Sequence, residues 1–163
     1  SSQFLAITGM IYWATLGIFF KALSWGIAFV FLAKGASKLF FWNELAGSIH
    51  GLVFSILGYH LGGLTGLGVA FSAGYLLYFI QVYAIAKIKY RFSFDSSLMR
   101  IFCIQFLLAL ACFAAVNLIE APYFYLLGVI LIGISGWYSF KELEKRIGLR
   151  EIIQNSIDRF KKK

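Results

Sequence analysis

Lys21, Asn43, Glu44, His50 and Gln81 each interrupt an otherwise apolar run of this 163-residue chain. Ionisable groups inside membrane spans are costly and by default mark an ion or substrate path; Lys at the centre of a lone helix costs ~2.5–3.5 kcal/mol on insertion scales. Two chemistries are open to Lys21. It snorkels to the outer surface if its helix starts near Leu16, or it faces a central cavity where its charge attracts a phosphate. Glu44 lies about 8 Å inside its helix at ~1.5 Å per residue. It either serves an ion path, snorkels to water, or pairs locally with Lys38. His50, one heptad beyond Asn43, reads as a hydrogen-bonded packing residue or a proton relay. Gln81 and Asn43 have the chemistry to bond across helices or to touch a polar substrate.

Spacing groups these residues with small ones. Glu44, Gly47 or Ser48, Gly51, Ser55 and Gly58 return every three or four positions and so share one helix face. Gly66, Ala70, Ala73 or Gly74, and Gln81 form a second such face, and Gln105, Ala109, Cys112 and Asn117 a weaker third. Small residues let membrane helices approach closely, which is the simplest use of these stripes. The glycines from Gly62 to Gly74 form no phosphate-binding loop, because no Lys-Ser or Lys-Thr follows them. No hydrolytic or transferase constellation is present, and the chain does not read as an enzyme. His60 is ten residues from His50, so no set of ligands stands at metal-binding spacing, and no metal or cofactor is expected. Asp95, Ser96 and Ser97 read as the cap of a helix. Cys103 and Cys112, nine positions apart, fall on opposite faces of one helix, too far apart to bridge.

The elements that must position these groups are membrane helices. With 61% hydrophobic and 13% charged residues, the chain lacks the polar coat of a soluble domain. Residues 1–140 read as a transmembrane bundle of five spans, at about 16–33, 39–57, 64–86, 98–118 and 123–140. The first has an alternative start near Gly9. Fourteen of the fifteen basic residues fall in alternate breaks between apolar runs, and Lys21 alone lies inside one. Lys34 and Lys38 occupy the first break, Lys87, Lys89, Arg91 and Arg100 the third, and the rest the tail. This is the pattern of the positive-inside rule, and it places those loops and the C-terminus in the cytoplasm. The basic residues are segregated by loop, as surface anchors facing anionic lipid, and not gathered into a nucleic-acid site. Pro122 fits a tight external turn. Residues 141–163, with Leu143, Ile147, Leu149, Ile153, Ile157 and Phe160 among bases, read as a basic amphipathic helix at the cytoplasmic interface.

The stretch Gly17-Ile18-Phe19-Phe20-Lys21-Ala22-Leu23-Ser24-Trp25, then Leu32-Ala33-Lys34-Gly35 and Lys38-Leu39-Phe40-Phe41-Trp42-Asn43-Glu44-Leu45, resembles the O-antigen and polysaccharide flippases of the multidrug/oligosaccharidyl-lipid/polysaccharide exporter superfamily. Gly62-Gly63-Leu64-Thr65-Gly66-Leu67-Gly68 and the basic loop from Lys87 to Phe92 extend the resemblance, which covers about residues 9–94. The resemblance implies an all-α carrier of roughly twelve helices in two bundles, of which this chain is a C-terminal fragment joined to a missing N-terminal bundle. It implies a cargo of undecaprenyl-pyrophosphate-linked oligosaccharide, turned across the bacterial inner membrane by alternating access, with polysaccharide polymerase or assembly proteins as further partners. Lys21 is then the first candidate for a cavity cation, Asn43 and Gln81 for sugar contact, and Glu44 and His50 for ion coupling. An ion-coupled multidrug-type antiporter and a small membrane scaffold subunit of a glycan-assembly complex are the alternatives.

Overall fold

The computed structural model describes residues 2–118 and 123–148, and among these the regular structure is helical, with no strand. Four helices follow one another: α1 (Ser2–Ala33), α2 (Ser37–Tyr90), α3 (Ser96–Leu118) and α4 (Tyr123–Ile147). All four are long and apolar enough to cross a membrane. Helices are the expected answer, because apolar runs of this length in lipid must pair their own backbone groups. Large apolar side chains face outward throughout, Leu61 at 88%, Ile88 at 84% and Val129 at 71% exposure, which suits hydrocarbon and not water. The chain divides after Asp95 into two compact units, each described by itself below.

A straight helix of 54 residues would run about 81 Å, far beyond a ~30 Å hydrocarbon core. Instead α2 folds back on itself at Gly62 and Gly63, where the backbone leaves helical values. Gly63, at φ 55° and ψ −136°, holds a conformation that only glycine adopts readily. The first arm (residues 37–61) and second arm (64–90) then run antiparallel. Gly58 and Gly66 meet backbone to backbone: a Cβ on either would strike the other's carbonyl oxygen. The sequence break between residues 57 and 64 therefore falls at the observed reversal.

Of the two expected starts for the first span, Leu16 and Gly9, the structure lies nearer the earlier, with an apolar stretch that runs from Ile7 to Ala33. Helix α1 itself is continuous from Ser2. Weakly polar Thr8, Gly9 and Thr15 do not break it, because the second arm of α2 packs along this segment. Gly9 lies against the Thr65 side chain, and Gly68 against the backbone of Met10. The Ser72 hydroxyl donates to the Trp13 carbonyl, while Thr15 Oγ1 donates to Ile11 O at 2.8 Å within α1. Further along, Gly17 lets Phe71 and Ser72 come close. Ile27, Ala28 and Phe31 of α1 join Tyr78, Val82 and Ala86 in the main buried cluster. These contacts run in register, so α1 and the second arm are parallel.

Parallel packing gathers Lys34, Lys38, Lys87, Lys89 and Arg91 at one end of this unit, all exposed, opposite the Gly62–Gly63 reversal. The segment after α2 is tied back onto it, with Phe94 stacked on Tyr83 at 5.4 Å and on Phe79 at 6.3 Å.

In the second unit α3 and α4 form an antiparallel hairpin. Gln105 Nε2 donates to Ser139 Oγ at 2.7 Å, and Ser135 Oγ donates to Gln105 Oε1 at 2.6 Å. Among the described residues Asn117 bonds its own helix, at Phe113 O. Ser97, in the first turn of α3, accepts from Arg146 across the hairpin. Cys103 and Cys112 are both free thiols. The fifth expected span ends at about 140, but α4 runs on to Ile147, and Gly148 follows at φ 61°. Residues 141–147 thus continue the membrane helix: Lys141 lies over the Trp137 ring at 4.9 Å, and Lys145 pairs with Glu142 at 3.1 Å. The Pro122 turn and the remainder of the amphipathic tail, from Leu149, lie outside the described residues.

If glycine contact sets the hairpin, Gly58→Ala and Gly66→Ala will each lower stability by about 1–3 kcal/mol through overpacking. Gly26→Ala, whose added Cβ meets nothing within 4 Å, will be neutral or stabilising. Unfolding free energies in detergent micelles test this, and equal effects at the three positions would refute it.

Candidate functional site

The small stripe of the first arm and the small face of the second do not close on each other along their whole length. Near the reversal they touch at Gly58 and Gly66. Toward the basic end they part around a cleft of about 240 Å³. Glu44, Ser48, Gly51 and Ser55 line it from the first arm, and Phe71, Gly74, Tyr75 and Tyr78 from the second; Trp25 of α1 closes one side. Residues 71, 74, 75 and 78 share one helix face by their spacing. Most of the first arm's stripe, from Glu44 to Ser55, therefore lines the cleft, and Gly58 at its end packs against the second arm.

One wall of the cleft is organised by a chain of hydrogen bonds between the arms. Gln81 Nε2 donates to Asn43 Oδ1 at 2.9 Å, and Asn43 Nδ2 donates to Tyr78 Oη at 2.8 Å. The Tyr78 hydroxyl in turn donates to Glu44 Oε1. Gly47 makes room for this: a Cβ there would stand 2.6 Å from the Tyr78 ring. Asn43 is 3% exposed, so both ends of its amide are spent inside the protein. Asn43 and Gln81, expected to touch sugar, do not line the cleft: Asn43 bonds Tyr78, and Gln81 bonds Asn43. Glu44 forms no ion pair with Lys38; Tyr78 is its partner. Ser48 donates to the Glu44 carbonyl at 2.9 Å, which leaves its oxygen free to accept.

Lys21 sits on the aromatic side of the cleft. Its Nζ lies 5.0 Å from the Trp25 ring centroid, 5.2 Å from Tyr75 and 5.9 Å from Phe71. With α1 spanning Ile7–Ala33, Lys21 is about 18 Å from one end and 21 Å from the other at ~1.5 Å per residue. The condition under which snorkelling was expected, a helix that starts near Leu16, is not met, and the side chain lies against the three rings. Cation–π attraction worth ~0.5–2 kcal/mol per ring replaces part of the lost hydration, so three rings offset much of the insertion cost.

His50 stands apart. Six helical steps from Glu44 turn it about 120° away, and it does not line the cleft. Its Nδ1 is buried without a hydrogen-bond partner among the described residues. The pair Glu44 and His50, both expected in ion coupling, is not brought together. Among the described residues no three His, Cys, Asp or Glu side chains cluster as metal ligands do.

Sequence reasoning missed Trp25, Phe71, Tyr75 and Tyr78. The only signal was their helical register with Gly74 and Lys21. In a chain with 31 aromatic residues, from 18 Phe, 9 Tyr and 4 Trp, that register does not stand out.

Tyr78→Phe keeps the ring beside Gly47 but strips partners from Asn43 and Glu44. Interhelical hydrogen bonds in membranes are worth ~0.6–2 kcal/mol, and a loss of that size is expected. A double-mutant cycle with Asn43→Ala will show coupling of the same order; additivity would mean that the residues do not act as a unit. No protein-family model, curated protein or solved structure matches this chain, and its functional reading rests on the chemistry of the cleft.

Proposed function

We propose that this chain forms part of a carrier that turns an undecaprenyl-pyrophosphate-linked oligosaccharide from the cytoplasmic to the periplasmic leaflet of a bacterial inner membrane. The observation that carries the proposal is Lys21: a cation inside an apolar helix, with no acidic partner among the described residues, held on three rings that line the cleft. A charge half-buried within an apolar span normally finds a counter-charge. Rings satisfy an ammonium weakly enough that a pyrophosphate can displace them. The polar cleft then shelters sugar while the polyprenyl tail remains in hydrocarbon.

In this proposal α1, both arms of α2, α3 and α4 make five crossings within a two-bundle carrier. The bases at 34, 38, 87, 89 and 91 and the C-terminus lie on the cytoplasmic side, as the positive-inside rule favours. Glu44, whose Oε1 is engaged by Tyr78, is the coupling candidate that faces the cleft. The same carboxylate favours the alternative of an ion-coupled antiporter for organic cations, but Lys21 on the shared rings opposes a second cation there.

In a reconstituted flipping assay, Lys21→Ala will slow transport at least tenfold. Lys21→Arg, which keeps the charge and stacks on rings, will retain more activity. An unaltered rate in Lys21→Ala would rule out the phosphate role. For topology, single cysteines at positions 35 and 91, on a background lacking Cys103 and Cys112, will label only from the cytoplasm, and one at position 62 only from outside. Periplasmic labelling at position 91 would reverse the orientation.

A further inference from the structure

We propose that the cleft beside Lys21 is a subsite for one uncharged sugar ring, so that the carrier selects its cargo by the charge of a single residue of the glycan. This rests on the flippase reading of the previous subsection and adds a substrate class to it. Three properties of the cleft lead there. Its volume of about 240 Å³ is below the ~300–1,000 Å³ of sites that enclose drug-sized ligands, and suits one ring and not an oligosaccharide. Its walls pair apolar aromatic surface, from Trp25, Tyr75 and Tyr78, with hydroxyl-binding groups. A pyranose has that same dual character, with C–H faces and a rim of hydroxyls.

The hydroxyl-binding groups are already aimed. Tyr78 engages Glu44 through Oε1, and among the described residues Oε2 makes no hydrogen bond. Ser48 directs its proton to the Glu44 carbonyl and leaves its oxygen as an acceptor toward the cleft. A site built to bond hydroxyls discriminates strongly against ligands that leave its polar groups unpaired, so an acyl chain is a poor occupant.

Charge excludes the remaining classes. An acidic sugar would bring its carboxylate toward that of Glu44 in a medium of low dielectric constant, where like charges repel strongly. An organic cation would compete with the Lys21 ammonium for the same rings. The uncharged ring meets neither penalty, and its pyrophosphate lies on the side where Lys21 stands.

The test uses the full chain in lipid nanodiscs and three soluble probes: citronellyl pyrophosphate alone, and the same compound carrying N-acetylglucosamine or glucuronic acid. The expected result is that the N-acetylglucosaminyl probe binds at least tenfold more tightly than the sugar-free one, while the glucuronyl probe gains nothing. Gly51→Leu fills the cleft from a position where an added Cβ meets no atom within 4 Å, and it will abolish the sugar-dependent gain but keep sugar-free binding. Glu44→Gln, which can still accept from Tyr78, will raise affinity for the glucuronyl probe. Equal binding of the sugar-free and N-acetylglucosaminyl probes would overturn the subsite and leave the flippase reading in place. Binding of none of the three would overturn both. A glucuronyl probe that binds as well as the neutral one would overturn the charge selection, and an undiminished gain in folded Gly51→Leu would overturn the location.

Discussion

The close approach of backbones at glycine governs the first unit of this protein. In hydrocarbon, helices gain no hydrophobic free energy by touching each other, so association depends on van der Waals packing and interhelical hydrogen bonds. Both fall off steeply with distance. Gly58 against Gly66, Gly68 against Met10 and Gly17 against Phe71 and Ser72 bring three helical segments near enough for such forces to act. A side chain at any of these positions would hold the helices apart.

Polar chemistry follows from that approach. Asn43, Tyr78, Glu44 and Gln81 are short or medium side chains, and they bridge the two arms only because the glycines set the spacing. The same geometry opens the cleft: the arms are pinned at Gly58 and kept apart by the Tyr78 ring beside Gly47. Packing and lining are thus two uses of one stripe. Lys21 is placed in the same way, since Phe71 and Tyr75 reach it only because α1 and the second arm run parallel and in contact.

The second unit uses a different device. Its hairpin is joined by Gln105 to Ser135 and Ser139, and by Arg146 to Ser97. The glycines of α4 at 128, 133 and 136 have open space where a Cβ would stand. Most of α4's surface is apolar and outward, as in a helix whose partner is lipid or another apolar helix.

Composition and run length by themselves determined that the chain is helical and apolar enough for membranes, because continuous apolar runs of about 20 residues satisfy their backbone in hydrocarbon as helices, whereas barrel strands are short and alternating. Sequence also located the breaks, including the Gly62–Gly63 reversal, since glycine there removes the steric bar to a positive φ. The face shared by Glu44, Ser48, Gly51 and Ser55 was legible from the 3.6-residue period. Only the tertiary structure decided which part of that face packs and which part lines a cleft, because the answer depends on the opposing helix. It also decided which rings surround Lys21. The start of the first span was open between Gly9 and Leu16, and contacts with residues 65 to 72, some fifty positions away, hold the segment before Leu16 against the second arm. Asn43 and Gln81 were visible as polar groups, but their bonds to Tyr78 and to each other were not, because a helical period fixes a side chain's face and not its partner.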